Sequence, residues 1–409
     1  MAEDASIIDL PYLPIDRSDF AENPFSFMAE ARAQHPWLAR FDAGYVVYGQ
    51  RAIQDLMFMD DKLAAGFGGV VDFYQARGTL WGRFMDEMLL SSSGAAHSRL
   101  RNSVRNAFTP RHARQMRPVM RQVVADLLDT WIPRGAFDFA ELSAQFPVSV
   151  MCALLGVSSE AVGDLNNALE TQVASLSLNP DLKPHFMAAF DTLWRFADEL
   201  VLEREKSGAV DANSLLDTLI AVRNSGEMDD IELRFMVLVL LLAGYDTSKN
   251  MLTMIVYQLL DRPDDWKRCA EDIGYCAKVV EEAFRYSTVA TSFRTALEDV
   301  DYDGIRFPKG SLIAMAFPLA GRDPTAFPDP DRFDPERVHA NRHAAFGRGI
   351  HICIGMYIAR NQLEEGLHLI AQRIGNPHVN GKIGWRPFPG VWGPGALPIA
   401  FDPRAARED

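Results

Sequence analysis

Phe346-Gly347-Arg348-Gly349-Ile350-His351-Ile352-Cys353-Ile354-Gly355 is the stretch on which the reading of this chain turns. One cysteine sits in a glycine-punctuated turn that leads directly into an apolar helical pattern. Glycines let a backbone approach a flat ring closely, and they leave amide N–H groups free to point at sulfur. Two readings follow. A lone cysteine is most often a buried structural residue, because free Cys is among the most buried types. A thiolate held in such a turn also suits the axial position of a haem iron, where it pushes electron density onto the metal and favours O–O cleavage.

Six fixed residues in ten separate the two. At ordinary residue usage that match arises by chance on the order of 10⁻⁸ per start position. The stretch resembles the haem-binding signature of the cytochrome P-450 family, Phe-Gly-x-Gly-x-His-x-Cys-x-Gly, with no departure at a fixed position. The resemblance implies a mainly α fold with small peripheral β-sheets, one haem-thiolate domain over residues 1–409, and haem b as cofactor. It implies that Cys353 ligates the iron, that His351 reaches a propionate, that Phe346 packs near the sulfur, and that Gly355 completes the cofactor loop.

Composition agrees with that class. A chain of 409 residues can bury a large core, and 48% hydrophobic with 23% charged content is ordinary for a globular protein. No Ser/Gly-rich linker, repeat or low-complexity tract divides it, so one compact unit is expected. A net charge of −14 argues against nucleic acid and anionic membrane as default partners. Cys152, Cys269, Cys276 and Cys353 have no disulfide-framework or zinc-site spacing, which fits a reducing, cytoplasmic location. The acidic N-terminus is no signal peptide, and the longest apolar run, Phe235 to Tyr245, is shorter than the roughly 20 residues a membrane span needs. A monomer without membrane attachment is the expectation.

Hydrophobic periodicity predicts helices over 24–35, 142–155, 160–176, 184–206, 272–286 and 354–374. Two more are expected between His97 and Ile132, meeting at Thr109-Pro110. The stretch 228–260 reads as one very long helix, about 50 Å at 1.5 Å per residue. A hairpin is expected over 38–48 and short strands near 293–297, 303–307 and 311–316. Residues 60–93 read as a long irregular loop, and 321–345 as a proline-rich irregular run.

Within the long helix, Ala243-Gly244-Tyr245-Asp246-Thr247 places an acid and an alcohol in an apolar run. Such groups are costly there without partners or a task. The plain alternative is a Thr hydroxyl bonded back to the Ala243 carbonyl. The functional reading is an oxygen-binding groove: Gly244 makes room for dioxygen, Thr247 donates a hydrogen bond to it, and Asp246 links to a proton source. This matches the family's oxygen-activation motif.

Glu282-Ala283-Phe284-Arg285 puts Glu and Arg at i and i+3. Such a pair is commonly a surface ion pair worth ~0–1 kcal/mol. The segment Phe327 to Phe333 resembles the family's stretch whose arginine completes a buried Glu–Arg–Arg cluster, which implies Glu282, Arg285 and Arg332. His97 and Arg101, at i and i+4, can reach one anion, and the resemblance makes them a propionate clamp with Arg294 and His351. The window 91–125 holds seven Arg and no Asp or Glu. A solvated helix face is the ordinary explanation; a docking patch for an acidic donor at Arg114, Arg117 and Arg121 is the functional one.

Departures from the family pattern lie at Ser93-Gly94-Ala95-Ala96, at Val289 and at Lys249. The resemblance implies a soluble, bacterial-type monooxygenase. It would insert one atom of dioxygen into an apolar small molecule of the terpenoid, aromatic or steroid kind. Electrons would come from a separate iron–sulfur ferredoxin or flavodoxin. Phe84, Met85, Val239 and Leu240 are candidate pocket residues, as are Ala243, Val289, Ala290 and Phe293. Arg77 and Arg83 are candidates for a substrate carboxylate. A peroxide-driven peroxygenase and a non-enzymatic haem sensor or carrier are the competing classes; the acid–alcohol pair argues against the first, and the basic window against the second.

Overall fold

The apolar periodicity resolves, in a computed structural model, into a mainly helical chain with four small sheets among the described residues. The structure describes residues 2–158, 162–177, 179–208, 211, 214–338 and 340–405, with the side chains of 162–164 left aside. The chain forms two compact units, each built from separate sequence segments.

The first unit comprises 1–66, 278–353 and 384–395. Its centre is a five-stranded sheet in the order Leu38–Phe41, Gly44–Val47, Leu312–Ala316, Thr291–Ala296, Leu63–Ala65. The expected hairpin is the first pair, with Leu38 opposite Val47 and Phe41 opposite Gly44. Its buried face, including Leu38, Val47, Ile313 and Met315, packs with Ile53, Leu56 and Phe307 into one core. A second, three-stranded sheet joins Glu3–Asp4, Ile305–Phe307 and Val300–Tyr302.

The second unit comprises 67–277, 354–383 and 396–409. Its axis is the long helix Asp230–Leu259, 30 residues and so about 45 Å. Asp229 starts it with a capping box: its carboxylate accepts from the Ile231 and Glu232 amides at 2.8 and 2.7 Å, and Glu232 reaches back to the Asp229 amide at 3.0 Å. The helix is apolar almost all round because helices Phe139–Leu155, Lys183–Ser207 and Met356–Arg373 pack against it. A hydrogen bond of 2.6 Å between the Ser143 and Thr253 hydroxyls ties it to the first of these.

Most expected elements are present, with two corrections. The stretch 60–93 is not a structureless loop: it holds strand Leu63–Ala65 and helices Gly68–Phe73 and Leu80–Glu87. Thr79 caps the last of these, accepting from the Gly82 amide at 3.0 Å. Helices Leu215–Asn224 and Pro263–Glu271 and the sheet Ile374–Val379, Pro398–Pro403, Ala136–Asp138 were not anticipated. The expected helix start at Glu160 lies outside the described residues; the helix is described from Val162 to Val173.

Candidate active site

The cysteine loop is shaped by two glycines with left-handed backbone, Gly347 at φ +66° and Gly349 at φ +70°. A Cβ on Gly349 would lie 2.4 Å from the Met57 carbonyl oxygen and 2.7 Å from an Asp60 carboxylate oxygen, so both conformation and space demand glycine. The Cys353 amide donates to the Phe346 carbonyl at 2.8 Å and closes the loop. Phe346 packs on Phe284, ring centroids 4.6 Å apart. Three residues on, helix Met356–Arg373 begins.

Cys353 is the exposed one of the four cysteines. Two of the buried ones are held as thiols: burial pushes Cys152 up to about 11, and Cys276 is pushed well above its usual range by hydrogen bonding to Cys269 and by burial. Only Cys353 therefore combines access with a glycine-built cradle, and the structural-cysteine reading suits the other three.

Arg294, on strand Thr291–Ala296, supplies the sharpest test of whether a dianionic cofactor fits. It is only 3% exposed. One of its terminal nitrogens donates to Ser292 Oγ at 2.8 Å and to the Phe293 carbonyl at 2.9 Å, while its Nε has no hydrogen-bond partner. Burial depresses its basicity, offset in part by the charge of Asp60. Among the described residues no carboxylate pairs with it. A buried guanidinium without a counter-anion is costly, and a haem propionate is an anion of the right kind. His351 lies in a half-buried 3₁₀ turn of the same unit. In the second unit, buried His97 and half-buried Arg101 stand one turn apart on helix Gly94–Val104.

On the long helix, Thr247 Oγ1 donates to the Ala243 carbonyl at 2.8 Å, so the back-bonded hydroxyl is present. Ala243 is exposed and Thr247 half-buried, while Asp246, 2% exposed, accepts from Asn250 Nδ2 at 3.0 Å. Gly244 does something different from the expectation. A Cβ there would come within 2.8 Å of Met151 Cγ, so its missing side chain lets helix Phe139–Leu155 approach. The accessible small residue of this motif is Ala243.

Glu282 and Arg285 form a buried ion pair, and the second arginine is a different one from that expected. Glu282 and Arg285 are both wholly buried and joined by bonds of 2.5 and 3.0 Å. The second arginine on Glu282 is Arg337, at 3.2 Å, and not Arg332. Arg332 turns its side chain outward, 70% exposed and near Asp334, and contributes its carbonyl, which accepts from Arg285 and Arg337 at 2.9 Å each. Arg285 also donates to the Gly321 carbonyl at 2.9 Å and the Pro330 carbonyl at 2.5 Å, pinning the irregular run before the cysteine loop. The sequence carried no signal choosing between the two arginines.

The other expected residues divide. Phe84 sits in an aromatic core with Phe190 and Phe235, both at 5.4 Å, and Met85 beside it is buried. Val239 and Leu240 are buried on the long helix. In the first unit, Val289 is buried with its carbonyl taken by the Trp392 amide at 2.7 Å, and Ala290 and Phe293 are half-buried. Arg77 pairs with Asp72 and Asp86 and Arg83 with Glu87, so neither awaits a substrate carboxylate. In the basic window, Arg117 is bound to Glu364, Glu365 and Asn361 of helix Met356–Arg373, and Arg121 lies 3.6 Å from Glu365. Arg111 and Arg114 are exposed. No helix is long and apolar enough to cross a membrane among the described residues.

Comparison with known proteins agrees with this geometry. Residues 37–374 match the Cytochrome P-450 family model. The luteothin monooxygenase of Streptomyces thioluteus is 35% identical over 404 residues, 96% of each chain. The 6-deoxyerythronolide B hydroxylase of Saccharopolyspora erythraea is 33% identical over 69% of each chain. Among solved structures, CalO2 superposes with a TM-score of 0.86 at 23% identity over 96% of this chain and all of that one, a likeness of fold. CxnD, described as an enzyme for C–S bond formation in chuangxinmycin biosynthesis, gives 0.86 at 26% identity, covering 97% of this chain and 99% of that one. This chain belongs to the cytochrome P-450 family and is a haem-thiolate monooxygenase whose cofactor is haem b.

Proposed function

We propose that residues 1–409 act as one monooxygenase domain that oxygenates an apolar small molecule, of terpenoid, aromatic or steroid type, with electrons from a separate ferredoxin or flavodoxin. Cys353 would hold the iron, and His97, Arg101, Arg294 and His351 would answer the propionates. Bound haem supplies the site of dioxygen activation, with thiolate ligation favouring O–O cleavage.

The observation that carries the proposal is the row Val239, Ala243, Thr247 on the long helix. Spaced four residues apart, these lie on one face. They run from apolar to small and accessible to hydroxyl-bearing, so an apolar substrate and a proton donor share a surface. Thr247 Oγ1 holds its proton on the Ala243 carbonyl; rotation about Cα–Cβ turns it to the open face. Asp246, buried behind, replaces that proton, a general-acid task. The pair also argues against a peroxide-driven cycle, which needs no such delivery.

Two compounds named in relatives, luteothin and 6-deoxyerythronolide B, head the set to screen by shift of the Soret band, followed by terpenes and steroids. With a binder in hand, NADH consumed against oxygenated product tests the reaction. One product per NADH supports it. Turnover with peroxide alone at an equal rate, or no binding by any apolar compound, would sink it.

A further inference from the structure

Lys249 is 4% exposed on the long helix, three residues beyond Asp246. Its ammonium is bound to Glu170 of helix Val162–Val173, whose side chain is 45% exposed. Tyr245 donates its hydroxyl to the same Glu170 oxygen at 2.9 Å, and the Lys249 ammonium lies 5.6 Å from the Tyr245 ring centre. A lysine buried in an apolar helix face is expensive, and a hydrophobic residue would pack there at no such cost. One end of this cluster meets solvent. The other end is a helical neighbour of Asp246, since residues at i and i+3 share a face.

At 100° per residue, Thr247, Asp246, Lys249 and Tyr245 follow one another around the helix over about 200°. The order runs from the accessible Ala243 face, through the buried acid, to the solvent-facing carboxylate. We propose that Glu170 is the solvent port and Lys249 the relay of the proton path that Asp246 and Thr247 complete, with Tyr245 positioning Glu170. Glu170 takes a proton from water at Oε2. Lys249 Nζ passes one of its three protons to the Asp246 carboxylate and is reprotonated by Glu170. Asp246 in turn restores the Thr247 proton. One proton crosses, and every group ends in its starting charge state. The inference rests on the Asp246–Thr247 reading.

Arginine separates a relay from a mere ion pair, because it keeps the charge but does not deprotonate. The haem-loaded protein is reduced with dithionite and mixed with air-saturated buffer in H₂O and D₂O, and the decay of the Soret signal is followed; dioxygen reduction takes up protons whatever the substrate. K249R and K249M are expected to slow the proton-dependent decay about 10-fold and to raise the solvent isotope effect. E170Q, a substitution at the half-exposed end, should do the same and keeps the proposal testable if a lysine variant fails to fold. Haem content and the carbon monoxide spectrum should not change. Wild-type decay and isotope effect in K249R would overturn the relay. D246N is measured beside them: if it alone slows decay, only this inference falls; if it too behaves as wild type, the Asp246–Thr247 reading falls first.

Discussion

Glu282 is wholly buried, and its charge is met by two guanidinium groups and the Asp334 amide at 2.8 Å. Removing Arg337 leaves Glu282 paired with Arg285 but takes away a buried charge-assisted hydrogen bond. Arg337→Ala is therefore expected to destabilise the protein by about 1.5–3 kcal/mol. Arg332→Ala, which deletes an outward side chain and keeps the carbonyl, should stay within about 0.5 kcal/mol. Urea unfolding of the haem-loaded variants compares them, and equal losses would restore Arg332 to the cluster. Residue by residue, the sequence revealed what depends on local chemistry. The ten-residue cysteine loop was legible because glycine, histidine and cysteine at fixed spacing leave few other readings. The choice between Arg332 and Arg337 was not, because it depends on which way a side chain leaves an irregular segment. Cys353 admits a direct test: reduced Cys353→Ala should lose the red-shifted carbon monoxide band of thiolate ligation, and a retained band would mean another ligand.

The long helix shows the same division at the next scale. Its span was legible from apolar continuity; what its glycine is for was not. Gly244→Ala must displace Met151, and overpacking of this kind costs about 1–3 kcal/mol, toward the low end because methionine adapts. Thermal unfolding should show the loss with haem content unchanged. Thr247→Ala removes only a hydroxyl bonded to its own helix, so binding and stability should hold. The cycle should uncouple: NADH and oxygen are still consumed, but peroxide replaces much of the oxygenated product. Full coupling in Thr247→Ala would remove Thr247 from the proton path. The helices and sheet that sequence did not reveal, Leu215–Asn224, Pro263–Glu271 and the strands after Ile374, are short. Over so few residues, periodicity does not separate helix, strand and loop.

At the scale of the whole chain, charge is the relevant quantity. The net charge of −14 repels an acidic electron donor everywhere except where basic residues gather. The window 91–125 is such a place in sequence, but its arginines do not share one role. Arg99 is bound to Glu232 and Arg117 to Glu364 and Glu365, so these hold helices together. Arg111 and Arg114 remain exposed at the surface. Docking is thus expected to fall on them more than on Arg117 and Arg121. Arg114→Glu should slow reduction by an acidic ferredoxin by about 10-fold at low salt, because opposite potentials raise encounter rates by 10–10³. The deficit should shrink as salt rises, since exposed charges are screened beyond about 10 Å at 0.1 M. Arg117→Glu should instead lower thermal stability, by setting a third negative charge beside Glu364 and Glu365. Stopped-flow reduction across a salt series, with melting curves for both variants, distinguishes the two. A salt-independent wild-type rate, or slowing by Arg117→Glu with stability intact, would move the donor's contact away from Arg111 and Arg114.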